Sequence, residues 1–411
     1  MRIGTPLARA RRGASPIVAL AVTLLLGACQ NPTASPAGDV PPADGAPPTV
    51  VSRGGAASSA GGASDSPALA ALRTPEFAIQ AFLWWRPEDA ERDLLAVKDI
   101  GFTWIKQGIG WRDVELEKGK FDWEHTDHFI NKAQEYGGLK LIARVDHQPN
   151  WAREGCSLQG PPQDLQDYTD FLTALTTRYR GKIAAYQIWN EPNLAREWCD
   201  QPPDPVAYAE MLRVAYAAIK QADPDALVIS AGFAPTGTEP PTAMPDDAYL
   251  EALYEVIGGS GDGYFDLLGV HAPGYAAPPE TSPEEAAASE AYGGERYFTF
   301  RRVEDLRAIV ERFGDTQRRM AVLEMGWTSD EVNPDYAWHA VTEAQKADYL
   351  VRAYDYAAQN WSPWMTIMST IYMCNADWTP ADEQYWWCIN DPDGTPRPAY
   401  DALKAMPKVQ K

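Results

Sequence analysis

Cysteine is scarce in this chain of 411 residues: there are five, none in a C-x-x-C pair and none near a histidine at metal-ligand spacing. A structural metal site is therefore not expected. The chain also has no His-Glu-x-x-His and no Gly-x-x-x-x-Gly-Lys phosphate loop, and the glycine run Gly258 to Gly263 fits a surface turn rather than a Gly-x-Ser-x-Gly elbow. No cofactor is implied. Positive charge is in deficit, with 36 Lys and Arg against 57 Asp and Glu and a net charge of -21. Such a chain repels polyanions, so nucleic acid is not an expected partner and a neutral ligand fits best. The bland alternative is a charge that serves solubility alone. Long apolar runs are missing as well, because the N-terminal stretch Pro16 to Ala28 is too short to span a bilayer as a helix.

That stretch follows four arginines (Arg2, Arg9, Arg11 and Arg12) with no acid among them, which is the pattern of an export signal. Its end, Leu26-Gly27-Ala28-Cys29, resembles the lipobox of bacterial lipoproteins. The resemblance implies cleavage before Cys29, a lipid on that cysteine, and a protein outside the cytoplasm, anchored to the bacterial envelope by lipid only. An ordinary export signal cut near the same point is the alternative. Without the leader's arginines the net charge falls to -25. Residues 29–72 are rich in Ala, Gly, Pro and Ser and poor in large side chains, a composition that cannot repay the entropy of ordering, so they are expected to form a disordered linker. All 15 tryptophans lie at position 84 or later. The organisation expected is a leader over 1–28, a linker over 29–72 and one domain over 73–411.

From residue 77 onward, short β-rich runs alternate with amphipathic helical runs. Strands are predicted over Phe77–Phe82, Phe102–Ile109, Leu139–Val145, Ala185–Trp189, Leu227–Gly232, Leu267–His271, Met320–Glu324 and Met365–Tyr372. Helices are predicted over Glu88–Ile100, Trp123–Tyr136, Leu165–Tyr179, Pro205–Gln221, Ala248–Ile257, Val303–Phe313, Ala344–Gln359 and Pro398–Ala405. Strict alternation implies a parallel sheet, and eight repeats imply an α/β fold closed into a (β/α)8 TIM barrel. An open doubly wound sheet would want a Gly-x-Gly-x-x-Gly turn after the first strand, where Phe82-Leu-Trp-Trp-Arg stands instead. Cys156 and Cys199 fall in loops after consecutive strands, and Cys374 and Cys388 bracket the loop after the last. Of three possible connectivities, the pairings Cys156 with Cys199 and Cys374 with Cys388 are favoured.

Two glutamates end strand-like runs: Glu191 in Ile-Trp-Asn-Glu-Pro-Asn, at strand four, and Glu324 in Met-Ala-Val-Leu-Glu-Met-Gly-Trp, at strand seven. Sites in this barrel form where strands end, so the two carboxylates can face each other over its mouth. An unpaired carboxylate in an apolar run is costly to bury, which argues against isolated polar strand ends. A facing pair of carboxylates is the machinery that breaks a glycosidic bond.

Trp189-Asn190-Glu191-Pro192-Asn193-Leu194 with a second Glu closing strand seven resembles glycoside hydrolase clan A, most of all family 39 and its neighbours, over essentially residues 77 to 405. The resemblance implies a retaining two-step hydrolysis with Glu191 as acid/base and Glu324 as nucleophile. It further implies that Asn190 bonds the sugar 2-hydroxyl. His271 and Tyr275, in Gly269-Val-His-Ala-Pro-Gly-Tyr, resemble a clan pattern in which the Tyr hydroxyl supports the nucleophile, although the spacing is stretched. His271 as a plain core histidine is the alternative. Asp146-His147 at the tip of strand three is placed for a substrate hydroxyl, or for a structural loop bond.

Tryptophan crowds the same rim at Trp84, Trp85, Trp111, Trp151, Trp198, Trp327, Trp378, Trp386 and Trp387. Indole packs on the C–H faces of sugars, and Trp111, Trp151, Trp327 and Trp387 are taken as the platform candidates. The insertion from Ala276 to Glu295 is a candidate lid or subsite wall. The function expected is hydrolysis of a neutral, β-linked oligo- or polysaccharide by a monomer. A catalytically silent carbohydrate-binding lipoprotein and a transglycosylase are the alternatives.

Overall fold

The computed structural model describes residues 67–156 and 159–408; the leader, Cys29 and the linker as far as residue 66 lie outside them. Eight parallel strands close into a barrel in sequence order, with β1 hydrogen-bonded to β8. The order of strands and principal helices is β1 (Glu76–Ala81), α1 (Pro87–Asp99), β2 (Trp104–Gly110), α2 (Glu124–Tyr136), β3 (Lys140–Asp146), α3 (Leu165–Arg178), β4 (Ala185–Ile188) and α4 (Pro205–Ala222). There follow β5 (Leu227–Ser230), α5 (Asp246–Val256), β6 (Leu267–Pro273), α6 (Arg302–Arg312), β7 (Arg319–Gly326), α7 (Glu343–Asn360), β8 (Met365–Thr370) and α8 (Pro398–Ala405). Every predicted strand and helix is present, with ends displaced by no more than two residues. Local signals set several of the boundaries. Asp204 caps α4 by accepting from the backbone N–H of Val206 and Ala207, with Pro205 at the first helical position, and Thr342 with Gln345 forms a capping box on α7.

Inward-facing positions alternate along each strand and change character with height. The lower layer is apolar and includes Ala78, Trp104, Ile142, Leu227, Leu267, Ala321 and Ile367. One step up the strands stand Gln80, Lys106, Arg144, Gln187 and Ser369, all buried. The barrel is thus packed below and polar above, and the polar end is where the strands finish.

One boundary needs correction. The linker was expected to extend to residue 72, yet residues 67–72 belong to the packed domain. Leu69 and Leu72 join the apolar layer at the bottom of the barrel, and Arg319 donates to the carbonyls of both, at 2.8 Å for Leu72. Two leucines in a small-residue stretch are enough to plug the open end of a barrel, which average composition does not reveal. Both expected disulfides are formed, Cys156–Cys199 and Cys374–Cys388.

Candidate active site

Four elements converge on one point at the C-terminal end of the barrel. Glu191 stands three residues beyond β4, with its N–H bonded to the carbonyl of Gly232 after β5. Trp189 and Glu191 both have positive φ, 70° and 42°, and His147 (57°) and Tyr275 (52°) share this rare conformation at the ends of β3 and β6. Such residues persist only where their surroundings hold them, and here they turn the chain sharply as each strand ends. On β6 a register shift between Val270 and His271 sets His271 opposite Glu324 of β7. Gly232 makes room for that imidazole, since a Cβ there would lie 2.0 Å from His271 Cδ2.

The result is a compact buried triad. One atom each of Glu191, His271 and Glu324 lies within 4.8 Å of the others. His271 Nδ1 is 3.1 Å from Glu191 Oε1 and 3.8 Å from Glu324 Oε2. Glu324 Oε1 accepts from Lys106 Nζ of β2 at 2.8 Å, and Arg144 Nη1 of β3 is 3.8 Å away. Glu191 Oε2 accepts from Arg196 Nη2 at 3.1 Å.

Burial alone would raise both carboxyls, but their cationic neighbours reverse its effect. Lys106 foremost, then His271 and Arg144, hold Glu324 down to about 2, whereas its ordinary value is 4.5. The hydrogen bond and charge of His271, then Arg196, keep Glu191 below the usual glutamate range. Lys106 loses so much hydration that its ammonium falls to about 8 despite its partner. Two further acids close in from the loops after β4 and β8. Glu197 and Glu383 are each pushed up to about 8, first by burial.

A divalent cation could in principle use two carboxylates and an imidazole. Here all four carboxylate oxygens have Lys106, Arg196, Arg144 or His271 within 4 Å. The positive charge of Lys106, Arg144 and Arg196 leaves little electrostatic reason for a metal to enter.

Above the triad opens a cavity onto which Glu191, His271 and Glu324 all face. Tyr275, Tyr336, His339, Trp387 and Pro235 help to form its walls. Another hollow, between Phe77, Tyr354 and Met406, lies away from these carboxylates.

The remaining expected residues divide by position. Asn190 is buried beside the acid, its side-chain oxygen accepting from Gln187 at 3.4 Å. Trp387 walls the cavity, its indole N–H on Glu383 Oε2 at 2.9 Å. Tyr275 also lines the cavity, but its hydroxyl has no hydrogen-bond partner among the described residues, and the bonds to Glu324 come from Lys106 rather than from this tyrosine. His147 Nδ1 is paired with Asp146 Oδ1 at 2.6 Å.

Trp111 and Trp327 are corrections, because both are wholly buried and present no face to a sugar. Trp111 stacks on Phe171, with its N–H on Glu115. Trp327 packs against Tyr349, with its N–H on the carbonyl of Ala277. Trp151 is half-buried over Trp111, its N–H on the Glu115 carbonyl. The insertion after β6 is an ordered loop carrying the helical turn Pro283–Ala287, and Phe298 beyond it packs on Tyr275 and Trp338.

Lys106, Arg144, Arg196, Glu197, His339 and Glu383 were not anticipated. For the first two the signal was available: each is a charge within an apolar strand run, the same feature that marks Glu324.

No protein-family model matches this chain, and no curated protein matches its sequence. Solved structures do match its fold. A family 39 glycoside hydrolase from the gut symbiont Bacteroides cellulosilyticus WH2 superposes with a TM-score of 0.59 at 18% identity, over 81% of this chain and 63% of that one. GH5_18 from Streptomyces cattleya gives 0.56 at 14% identity over 81% and 80%. The xylanase XynB from Paenibacillus barcinonensis gives 0.53 at 12% identity over 83% and 98%. The chain therefore spans less than two thirds of the family 39 structure but nearly all of the xylanase. What it has in common with these glycoside hydrolases is the fold, a closed (β/α)8 barrel.

Proposed function

We propose that this protein is a retaining glycoside hydrolase acting on a neutral, β-linked glycan. The observation that carries the reading is the approach of Glu191 and Glu324 to within 4.8 Å, in one cavity at the mouth of the barrel. Retaining enzymes hold their carboxyls about 5–5.5 Å apart, whereas inverting ones need roughly 6.5–9.5 Å to admit a water. In the first step a Glu324 oxygen attacks the anomeric carbon. The bond to the leaving oxygen breaks with its electron pair, and Glu191 gives that oxygen its proton. In the second, water attacks the same carbon, loses a proton to Glu191, and releases Glu324 as carboxylate. A nucleophile kept ionised by Lys106 suits both steps, being charged at the start and a good leaving group at the end.

Asn190, His147, Tyr275, Trp151 and Trp387 are the proposed sugar contacts, with Asn190 next to the acid as the candidate for the 2-hydroxyl. Two disulfides fit an oxidising compartment, which accords with export and with a lipid on Cys29. The reading is tested by screening aryl glycosides and neutral polysaccharides and following the anomeric proton of the first-formed product. Retention is expected, and inversion contradicts the two-step scheme. Glu191→Ala should slow leaving groups of high pKa by about 10²–10⁴-fold and activated aryl groups far less. Equal slowing of both rejects Glu191 as the acid.

A further inference from the structure

Arg196 poses a problem for an acid at Glu191. A general acid must carry a proton, yet Glu191 Oε2 accepts from the Arg196 guanidinium at 3.1 Å in a buried setting. His271 touches Oε1 and also approaches Glu324, which leaves Oε2 to Arg196. A leaving group that takes its proton from Oε2 must therefore displace the guanidinium. It comes from the helical turn Ala195–Glu197, directly after the Asn-Glu-Pro segment.

The same guanidinium has two other carboxyl groups at hand, which burial keeps neutral near pH 7 until a cation approaches them. Arg196 Nε is 3.5 Å from Glu197 Oε1, and Glu383 lies within electrostatic reach. Glu197 Oε2 and Glu383 Oε1 are buried and lack a hydrogen-bond partner among the described residues. Buried acceptors of this kind are uncommon and call for a reason. A cation that moves toward them supplies one.

Resting on the glycosidase reading above, we propose that Arg196 is a movable counter-charge, paired with Glu191 when that residue must act as a base and withdrawn toward Glu197 and Glu383 when it must act as an acid. A leaving group entering beside Oε2 displaces the guanidinium, and Glu191 takes up a proton from solvent. After the first step has used that proton, the ionised Glu191 recovers Arg196 and is ready to accept one from water. The groups facing Glu191 are His271 and Tyr275 from β6 and its loop, Glu324 from β7, Tyr372 after β8, and Arg196 with Glu197 from its own loop. Of these, Arg196 carries the permanent positive charge and stands on a loop, whereas Lys106 and Arg144 lie within strands and face Glu324. Arg196 is thus a positioning residue, acting through Glu191.

The test compares wild type, Arg196→Gln, Arg196→Lys and Glu197→Gln. The basic limb of kcat/KM reports Glu191 in the free enzyme, and that of kcat reports it with substrate bound. In wild type the kcat/KM limb should lie lower, by about one to three pH units for an opposite charge at this range. Arg196→Gln should raise it to meet the kcat limb, and Arg196→Lys should keep it low. Glu197→Gln, which keeps a neutral side chain there but cannot ionise to receive Arg196, should reduce kcat/KM for poor leaving groups more than for activated ones. The 13C carboxyl titration of Glu191 gives a readout without turnover and should move upward in Arg196→Gln. If neither that titration nor the limb moves, the counter-charge role is wrong. A titration that moves in a protein whose wild type cleaves no glycoside defeats the hydrolase reading instead, and the two failures are told apart by which observation is lost.

Discussion

Replacing Lys106 by methionine isolates the charge that holds the proposed nucleophile ionised. Lys106 Nζ lies 2.8 Å from Glu324 Oε1 and 3.1 Å from the carbonyl of Leu323, fully buried in β2. Glu324 falls from 4.5 to about 2, which at about 1.4 kcal/mol per unit is on the order of 3 kcal/mol in favour of the carboxylate. That stabilisation is present above the unfolded value and is lost as pH falls toward 2. Lys106 falls from 10.5 to about 8, a cost that acts below pH 8 and is relieved as pH rises above it. The two shifts act on stability in opposite senses, and the value of the pair is chemical.

With the ammonium gone, Arg144 at 3.8 Å and His271 remain near Glu324. The carboxyl should rise by about one to three units. The acidic limb of kcat/KM should move up from near pH 2 by the same amount. A more basic carboxylate also leaves the anomeric carbon more slowly, so the second step should become limiting and a burst of leaving group should appear in stopped-flow with an activated aryl glycoside. An acidic limb that stays in place, with no burst, would refute the assignment of Lys106 as the charge that sets Glu324.

Two further outcomes follow from packing. Gly232→Ala puts a Cβ 2.0 Å from His271 Cδ2, so the imidazole must leave its place between the two glutamates, and activity should fall at least tenfold while circular dichroism stays that of the wild type. Removing the Cys374–Cys388 bridge as a double serine variant should cost about 2–4 kcal/mol in urea unfolding, because it closes the loop carrying Glu383 and Trp387; an unchanged midpoint would show that the loop is held by Lys346 and its carbonyl partners alone.

Legibility followed the physics of each signal. The barrel could be read because a short apolar, β-rich run followed by an amphipathic helical run, eight times over, survives averaging. Glu191 and Glu324 could be read because a carboxylate closing an apolar strand has few bland explanations. The same logic applies to Lys106 and Arg144, but each sits mid-strand, where only the inward turn of the side chain distinguishes a buried charge from a solvated one. Trp111 and Trp327 misled because a place in sequence just beyond a strand does not say which way a side chain turns. The turn Trp111–Val114 sends the indole outward beneath α3. Arg196 depends on the local turn after β4, and the meeting of Glu197 with Glu383 depends on loops from opposite sides of the mouth. Neither has a periodic signature. Leu69 and Leu72 were hidden by the composition around them.

The most direct measurement is covalent trapping. A 2-deoxy-2-fluoro glycoside with an activated leaving group, whose fluorine slows both steps while the good leaving group preserves the first, should leave one glycosyl unit on the protein. Peptide mass spectrometry should find that mass on Glu324, and Glu324→Gln should abolish it. A glycosyl unit on Glu191 or elsewhere, or hydrolysis by a protein that never becomes labelled, would contradict the pairing of these two carboxylates as nucleophile and acid/base.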